Sequence, residues 1–256
     1  MVRPVEHTIA TIERAATELV ARRHTRRQGA ALAESCRPTD NASALAIQRA
    51  VTRLLDADIG GWKCALPSPG KLVLAPIYRD TIQTASPCPV RARDGILRVE
   101  PELAYVLACD LPVRDQPYTP ADVDRAIART HLALELLESR YTDHHAVSFF
   151  DNLADGLVNQ GLFLGPAVND AADCGELALQ VGSANALLQG RHPDGNPRLP
   201  LYWLVEYLRS QGEGLLAGQV VITGSYAGSL PLAMATEVRI GYGALGMLSV
   251  CFKADD

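Results

Sequence analysis

Two glutamates set two residues apart, Glu100 and Glu102 in RVEPELAYV, are the first candidates for chemistry. Pro101 between them biases the segment toward extended backbone, where side chains two apart project from one face. Paired carboxylates repel and raise each other's pKa unless a cation or water separates them. Leu103, Tyr105, Val106 and Leu107 follow at once. Their apolar character predicts partial burial and favours a cation over the competing reading, a solvated strand face. Hard carboxylate oxygens suit Mg2+ or Mn2+. A third acid, Glu135 in HLALELLESRY, lies inside an apolar run, where it is costly unless paired. If that run forms a helix, Glu135 and Glu138 point to neighbouring sides, and the competing reading is an amphipathic helix with two surface acids.

Lys63 follows Gly60-Gly61 and sits between Trp62 and Cys64. A desolvated lysine either has its pKa lowered, becoming a proton carrier, or stays charged beside an anion; the alternative is a surface lysine laying its stem on apolar neighbours. In VVITGSYAG, Thr223, Gly224 and Ser225 come directly after a strand pattern. Backbone N–H groups and hydroxyls at such a turn can grip a carboxylate, although inert loops use the same residues. His144 and His145 are adjacent, so extended chain would send them to opposite faces; they read as loop residues rather than joint metal ligands. No G-x-S-x-G, H-E-x-x-H, P-loop or G-x-G-x-x-G motif is present, so serine hydrolase, zincin and nucleotide-enzyme readings lack support.

The elements that must position these residues divide into a helical region over 1–60 and a β-rich body over 61–256, as two units or one continuous domain. Helical spacing predicts helices from Thr8 to about Arg23 and from Ala42 to Asp56, the second closed by Gly60-Gly61. WKCAL, KLVLAPIY and LRVEPELAYVLACDLP read as strands. Thr119-Pro120-Ala121-Asp122 opens a further helix, with Val123, Ala126, Ile127 and Thr130 as its buried stripe. FLG at 163–165 reads as strand, and ELALQVG and NALLQG as a hairpin across Ser183-Ala184. LPLYWLVEYLRSQGEG reads as a helix closed by Gly212. QVVITGS, EVRIGY and LGMLSVCF close the body as strands, with Gly241 to Gly246 marking a turn. This order predicts an α+β fold.

A chain of 256 residues with 48% hydrophobic content can bury a sizeable core. Its net charge of -5 offers phosphate backbones no basic field, so nucleic acid is not an expected partner. Cys36, Cys64, Cys88, Cys109, Cys174 and Cys251 form no C-x-x-C pair and read as reduced thiols of a cytosolic protein. Glu6, His7, Glu13 and Arg14 interrupt any apolar core of a leader, and no apolar stretch nears the ~18 residues of a membrane span; the expectation is a soluble cytoplasmic protein. Arg22, Arg23, Arg26 and Arg27 read as a solvated helix end suited to the dipole.

The ordered series RVEPELAYVLACDLP, TPADV, ALELLESRY, LADGLVNQGLFLG, DGNPRLPLYWLVEYL, GQVVITGSYAGSLPL and GALGMLSVCF, over roughly residues 40–253, resembles the 2-keto-4-pentenoate hydratase and 4-oxalocrotonate decarboxylase group of the fumarylacetoacetate hydrolase superfamily. The resemblance implies a β-rich roll behind a smaller helical N-terminal region, with Glu100, Glu102 and Glu135 matching three metal-binding acids. Lys63 matches the lysine of a G-[YW]-K segment beside the substrate, Thr223, Gly224 and Ser225 match a T-G-S turn, and Asp80 falls near a further acid of the site. The implied chemistry is that of a Mg2+- or Mn2+-dependent lyase: a 2-oxo acid chelates the metal, which acts as a Lewis acid, while Lys63 or a nearby acid moves a proton. Hydration of a 2-hydroxydienoate in aromatic catabolism is the first expectation and 4-oxalocrotonate decarboxylation the second. Acylpyruvate hydrolysis ranks below them, since no histidine has an obvious place to activate water. The expected partners are the small 2-oxo acid and further copies of the chain, or a paralogous enzyme. Three departures stand out: Pro67 where relatives carry a hydroxyl residue in K-I-G-L-T-S, Gly156 in place of the asparagine of A-D-N, and Ala235-Thr236-Glu237 in place of P-G-D. Pro67 and Gly156 motivate a rival in which the chain is a non-catalytic subunit.

Overall fold

The computed structural model describes residues 8–169 and 176–255. In chain order the elements are α1 (Ile9–Thr25), α2 (Asn41–Leu54), β1 (Ile59–Cys64), β2 (Leu74–Tyr78), β3 (Ile82–Gln83), β4 (Cys88–Val90), β5 (Ile96–Leu107), α3 (Pro120–Ala126), β6 (Ile127–Leu137), α4 (Phe149–Ala154), β7 (Asn159–Val168), β8 (Glu176–Val181), β9 (Ala184–Gln189), α5 (Leu199–Ser210), β10 (Val220–Ile222), β11 (Leu230–Ala233), β12 (Glu237–Tyr242) and β13 (Met247–Ala254). Helices combine with two sheets whose pairings are mainly antiparallel, in keeping with the α+β expectation. No helix among the described residues is long and apolar enough to cross a membrane. The five described cysteines are free thiols, while Cys174 and residues 1–7, including Glu6 and His7, lie outside the described residues.

One sheet runs β2-β1-β10-β5-β6-β7-β3, with β11 also on β5; a second runs β4-β13-β12-β8-β9. The first sheet curls until β2 approaches β7, and Ile77, Ala104, Ala133, Leu162, Val220 and Ile222 fill the inside of this roll. Its outer face meets the second sheet across a core that includes Leu103, Leu132, Leu134, Leu136, Val238 and Leu248. The helices bury Leu19, Ile47 and Leu204 in a further core together with Trp62, Cys64 and Val221 of the sheet, so the helical region and the body share one interior.

The sheet's two-sided burial explains the main difference from sequence-based expectation. The run HLALELL is not helical but forms most of β6, with Leu132 to Leu136 buried throughout. Leu, Ala and Glu favour helix intrinsically, yet a strand covered on both faces reads as a continuous apolar run. The same correction moves Ile127 and Thr130 out of the helix: α3 ends at Ala126. The hairpin turn falls on Gly182-Ser183, one residue earlier than expected. Arg22 and Arg23 do not form a solvated helix end. Arg22 donates to the Arg140 carbonyl and Arg23 to the Asp155 carbonyl, both turned inward, whereas Arg26 and Arg27 are exposed.

Gly60-Gly61 is likewise no helix stop. Helix α2 ends at Leu54 and Asp56 makes the turn at φ 50°, while both glycines lie inside β1. Gly61 pairs in parallel with Val220 of β10, and a Cβ there would stand 2.2 Å from the Val220 carbonyl oxygen. Gly61→Ala is expected to force β1 off β10 and cost about 1–3 kcal/mol in urea unfolding; wild-type stability in that variant would refute the close-approach account.

Candidate metal centre

Strand β5 pairs along its length with β6, but on its other side it changes neighbour. β10 takes Ala104 to Val106, β11 takes Ile96 to Val99, and the residues between, 100–103, are left without a strand partner on that side. Glu100 and Glu102 occupy this gap. Pro101 lacks an N–H to offer either ladder, and its carbonyl instead accepts from the Tyr226 N–H of the loop that bridges the gap. On the paired side Glu135 of β6 lies directly across from Glu100, and Ala133 from Glu102. Directly opposed and diagonal partners share a sheet face, which turns all three carboxylates toward one point inside the roll. Ligand oxygens of Glu100, Glu102 and Glu135 lie within 4.8 Å of one another; Glu102 and Glu135 are buried and Glu100 half-buried.

Lys63, in register with Ile222 and Ala75, reaches into the same space. Its Nζ donates to Glu135 Oε1 at 2.6 Å and to the Leu157 carbonyl at 3.2 Å. Burial pulls the Lys63 pKa down, but the carboxylates of Glu135, Glu100 and Glu102 outweigh burial and hold it above the ordinary lysine value. It is therefore an ammonium, the second of the two states open to a desolvated lysine. Burial and the Glu135 charge raise Glu100. Burial, Glu135 and Glu100 hold Glu102 well above the usual carboxylate range, and the N–H of Gly224 offsets only part of this.

The T-G-S turn does grip a carboxylate, that of Glu102: Gly224 N–H donates to its Oε2 at 2.7 Å. Gly224 takes φ 133°, a conformation other residues rarely adopt. Ser225 Oγ donates to the carbonyls of Gly228 and Pro101. Thr223 is buried, and its carbonyl accepts from His192 Nε2 at 3.1 Å. Burial lowers the His192 pKa, and its Nδ1 accepts from the Asp194 N–H, so the ring is a neutral donor that braces the turn. Sequence reading gave no histidine a place here; HPDGNP carries no spacing signal that ties it to Thr223. Asp80 is not brought into the cluster. It is exposed on the short turn at 79–81 and lines a separate cleft with several arginines. His144 and His145 lie in a turn, ring to ring at 3.9 Å, as their loop reading expects.

Two supports escaped the sequence reading. Asn159 Nδ2 donates to Glu135 Oε1 at 2.8 Å, so that one oxygen receives both Lys63 and Asn159. The segment carrying Asn159 and the Leu157 carbonyl is anchored by a buried ion pair. Arg140 Nε sits 2.7 and 2.9 Å from the two Asp155 oxygens, Arg140 Nη1 holds the Asn159 carbonyl, and Arg23 adds a bond to the Asp155 carbonyl. That anchoring holds Leu157 and Val158 at φ 53° and 58°, a conformation unfavourable for side chains of their shape.

The donor set meets what a hard divalent cation requires. Three carboxylates against one ammonium leave two negative charges when all are ionised. Glu135 Oε2 is buried with no hydrogen-bond partner among the described residues, and an unpaired buried oxygen of this kind is costly unless something else contacts it. Oxygen ligands alone, without sulfur or imidazole, favour Mg2+-like ions over zinc or copper.

No protein-family model matches the chain. Among curated proteins it is 29% identical over 161 residues to a 4-oxalocrotonate decarboxylase from a Pseudomonas species, and 30% identical over 160 residues to a 2-keto-4-pentenoate hydratase from Burkholderia vietnamiensis. These alignments span 59% and 60% of this chain and the same shares of the two relatives. A second 2-keto-4-pentenoate hydratase, from Paraburkholderia phymatum, aligns over 94% of this chain and 97% of its own length at 28% identity. In fold, the chain matches 4-oxalocrotonate decarboxylase from Pseudomonas putida G7, complexed with magnesium and adipate, with a TM-score of 0.78 at 16% identity over 98% of this chain and 100% of that one. A protein from Yersinia pestis assigned to the fumarylacetoacetate hydrolase family matches with a TM-score of 0.52 at 16% identity, over 77% of this chain and 95% of that one. The likeness read from the ordered motifs is borne out in both sequence and fold.

Asp155→Ala strips the buried Arg140 and the half-buried Arg23 of their shared carboxylate. It is expected to cost about 3–5 kcal/mol in chemical denaturation. A loss below about 1 kcal/mol would show that the segment at 155–159 is held by other means.

Proposed function

We propose that this chain, related in sequence to the 2-keto-4-pentenoate hydratase and 4-oxalocrotonate decarboxylase group and folded like the fumarylacetoacetate hydrolase superfamily, is a divalent-metal-dependent lyase. Its substrate is a small 2-oxo acid in the 2-hydroxydienoate form, and its first reaction is hydration of the 2-hydroxypenta-2,4-dienoate type in aromatic catabolism. The observation that carries this reading is the convergence of Glu100, Glu102 and Glu135 inside the roll with Lys63 beside them. In this reading the three glutamates hold Mg2+ or Mn2+, which when bound supplies Lewis-acid polarisation of the C2 oxygen of a 2-oxo acid chelated through C1 and C2.

The protein's own groups divide the remaining work. Lys63 Nζ carries the proton; as an ammonium held by Glu135 and the Leu157 carbonyl it is the acid that delivers a proton to the dienol carbon chain. Asn159 fixes Glu135, so that the lysine and the metal ligand keep one geometry. Gly224 orients Glu102, and in this reading Thr223 and Ser225 are the residues of the same turn assigned to the substrate carboxylate. The buried apolar wall of Ile77, Leu162 and Ile222 keeps bulk water out of the roll, which strengthens every charge interaction within it. The setting proposed is the cytoplasm, in keeping with the free thiols, and the working assembly a homo-oligomer, alone or with a paralogous enzyme.

A second reading, decarboxylation of 4-oxalocrotonate, draws on the decarboxylase relative at 29% identity; the same polarised C2 oxygen would accept the electrons released with carbon dioxide. Incubation with Mg2+ and each substrate separates the two. A 4-hydroxy-2-oxo acid from the dienoate without carbon dioxide is expected, carbon dioxide from 4-oxalocrotonate would favour the second reading, and no turnover of either would contradict both. Lys63→Met is expected to lower turnover by about 10²–10⁴-fold while metal affinity persists; wild-type turnover would remove Lys63 from proton transfer.

A further inference from the structure

A second polar cavity lies apart from the three carboxylates. It is a cleft of about 530 Å³ in which Arg23, Arg26, Arg91 and Arg140 stand around apolar surface from Tyr78 and Leu136. That volume is typical of sites for small organic ligands, and so is the pattern of an apolar floor with a few convergent polar groups.

The charges in the cleft are unevenly matched. Arg140 is satisfied by Asp155 at 2.7 Å. Arg23 meets only the same carboxylate, at 3.4 Å, so two guanidinium groups share one anion. Arg23 Nε is buried with no hydrogen-bond partner among the described residues. Burial and the neighbouring Arg140 pull the Arg23 pKa down to about 10, the response of a guanidinium short of counter-charge. Toward the outer end the cleft already holds carboxylates from the chain itself: Asp80 lines it, Glu138 stands 3.5 Å from Arg91, and Asp255 meets two of the arginines. Asp255 accepts a bond from Arg26 Nη1 on its carbonyl at 2.6 Å, and its carboxylate stands 3.3 Å from Arg26 and 3.8 Å from Arg91.

The geometry points to a binding site for a small organic carboxylate in this cleft, with Arg23 as its inner anchor and the Asp255 side chain as a built-in competitor for the outer arginines. Guanidinium forks bind carboxylates by paired, charge-assisted hydrogen bonds, and the apolar floor accepts a short chain or ring. None of the three clustered glutamates lines the cleft, while Arg23 and Arg140 also anchor the segment at 155–159.

Calorimetric titration of benzoate into the full chain with Mg2+ present tests the assignment, because benzoate has a carboxylate and a flat apolar body but no 2-oxo group for chelation. Saturable binding is expected. Arg23→Gln should weaken it about tenfold or more, the loss of one charge-assisted contact. Asp255→Asn, at a half-exposed position outside the core, should tighten it a few-fold, a gain that misfolding cannot imitate. Glu102→Gln should leave it unchanged. Absence of saturable binding, or binding that follows Glu102 and ignores Arg23 and Asp255, would overturn the proposal.

Discussion

Mutual repulsion of three carboxylates inside a rolled sheet is the constraint on which the rest of the molecule depends. Glu100, Glu102 and Glu135 place oxygens within 4.8 Å of one another, where each ionised pair repels by about 3–4 kcal/mol even at an effective dielectric near 20. Lys63, Asn159 and the Gly224 N–H answer part of that charge. When all are ionised, what is left is two negative charges, together with an oxygen on Glu135 that has no hydrogen-bond partner among the described residues. A divalent cation satisfies both at once.

The fold is arranged around that strain. Strand β5 stays paired with β6 but has no strand partner on its β10/β11 side over residues 100–103, and Pro101 makes that gap inexpensive because it has no N–H to leave unpaired. The chain change from β10 to β11 then carries the T-G-S turn across the opening, where His192 braces Thr223. On the far side, the Arg140–Asp155 pair holds the backbone that presents Asn159 and the Leu157 carbonyl. A buried ion pair is weak support for stability in itself. Here it fixes a strained segment against the three clustered acids.

The legible part of this design was local. Glu100, Pro101 and Glu102 announce an extended pair on one face, and Glu135 is conspicuous because its neighbours are apolar. Lys63 and the T-G-S turn were legible as candidates, and the order of motifs united them. The supports were not legible, because Asn159, Arg140, Asp155 and His192 act through contacts between segments distant in sequence and carry no spacing signal. The helix alternative for β6 came from the intrinsic preference of Leu, Ala and Glu, which two-sided burial overrides. Gly60-Gly61 resembled a helix stop because the sequence cannot show that Val220 leaves no room for a Cβ. Arg22 and Arg23 looked solvated because their acceptors are carbonyls of residues 140 and 155. The departures from the family pattern fall mostly at the periphery: Pro67 is on the exposed turn between β1 and β2, and Ala235 takes φ 57° in the turn before β12. Gly156, at φ 83°, lies closer, in the segment that Asp155 anchors.

The most direct test is titration of Mg2+ or Mn2+ into the metal-free chain, read together with thermal unfolding, for the wild type and Glu102→Gln. One ion bound per chain, with a rise in Tm on binding, is the predicted result for the wild type. The variant should lose both effects, and without metal it should be at least as stable as the wild type because a repelling charge has been removed. Undiminished metal affinity in Glu102→Gln, or a metal-free variant much less stable than the wild type, would contradict a centre built to hold a cation.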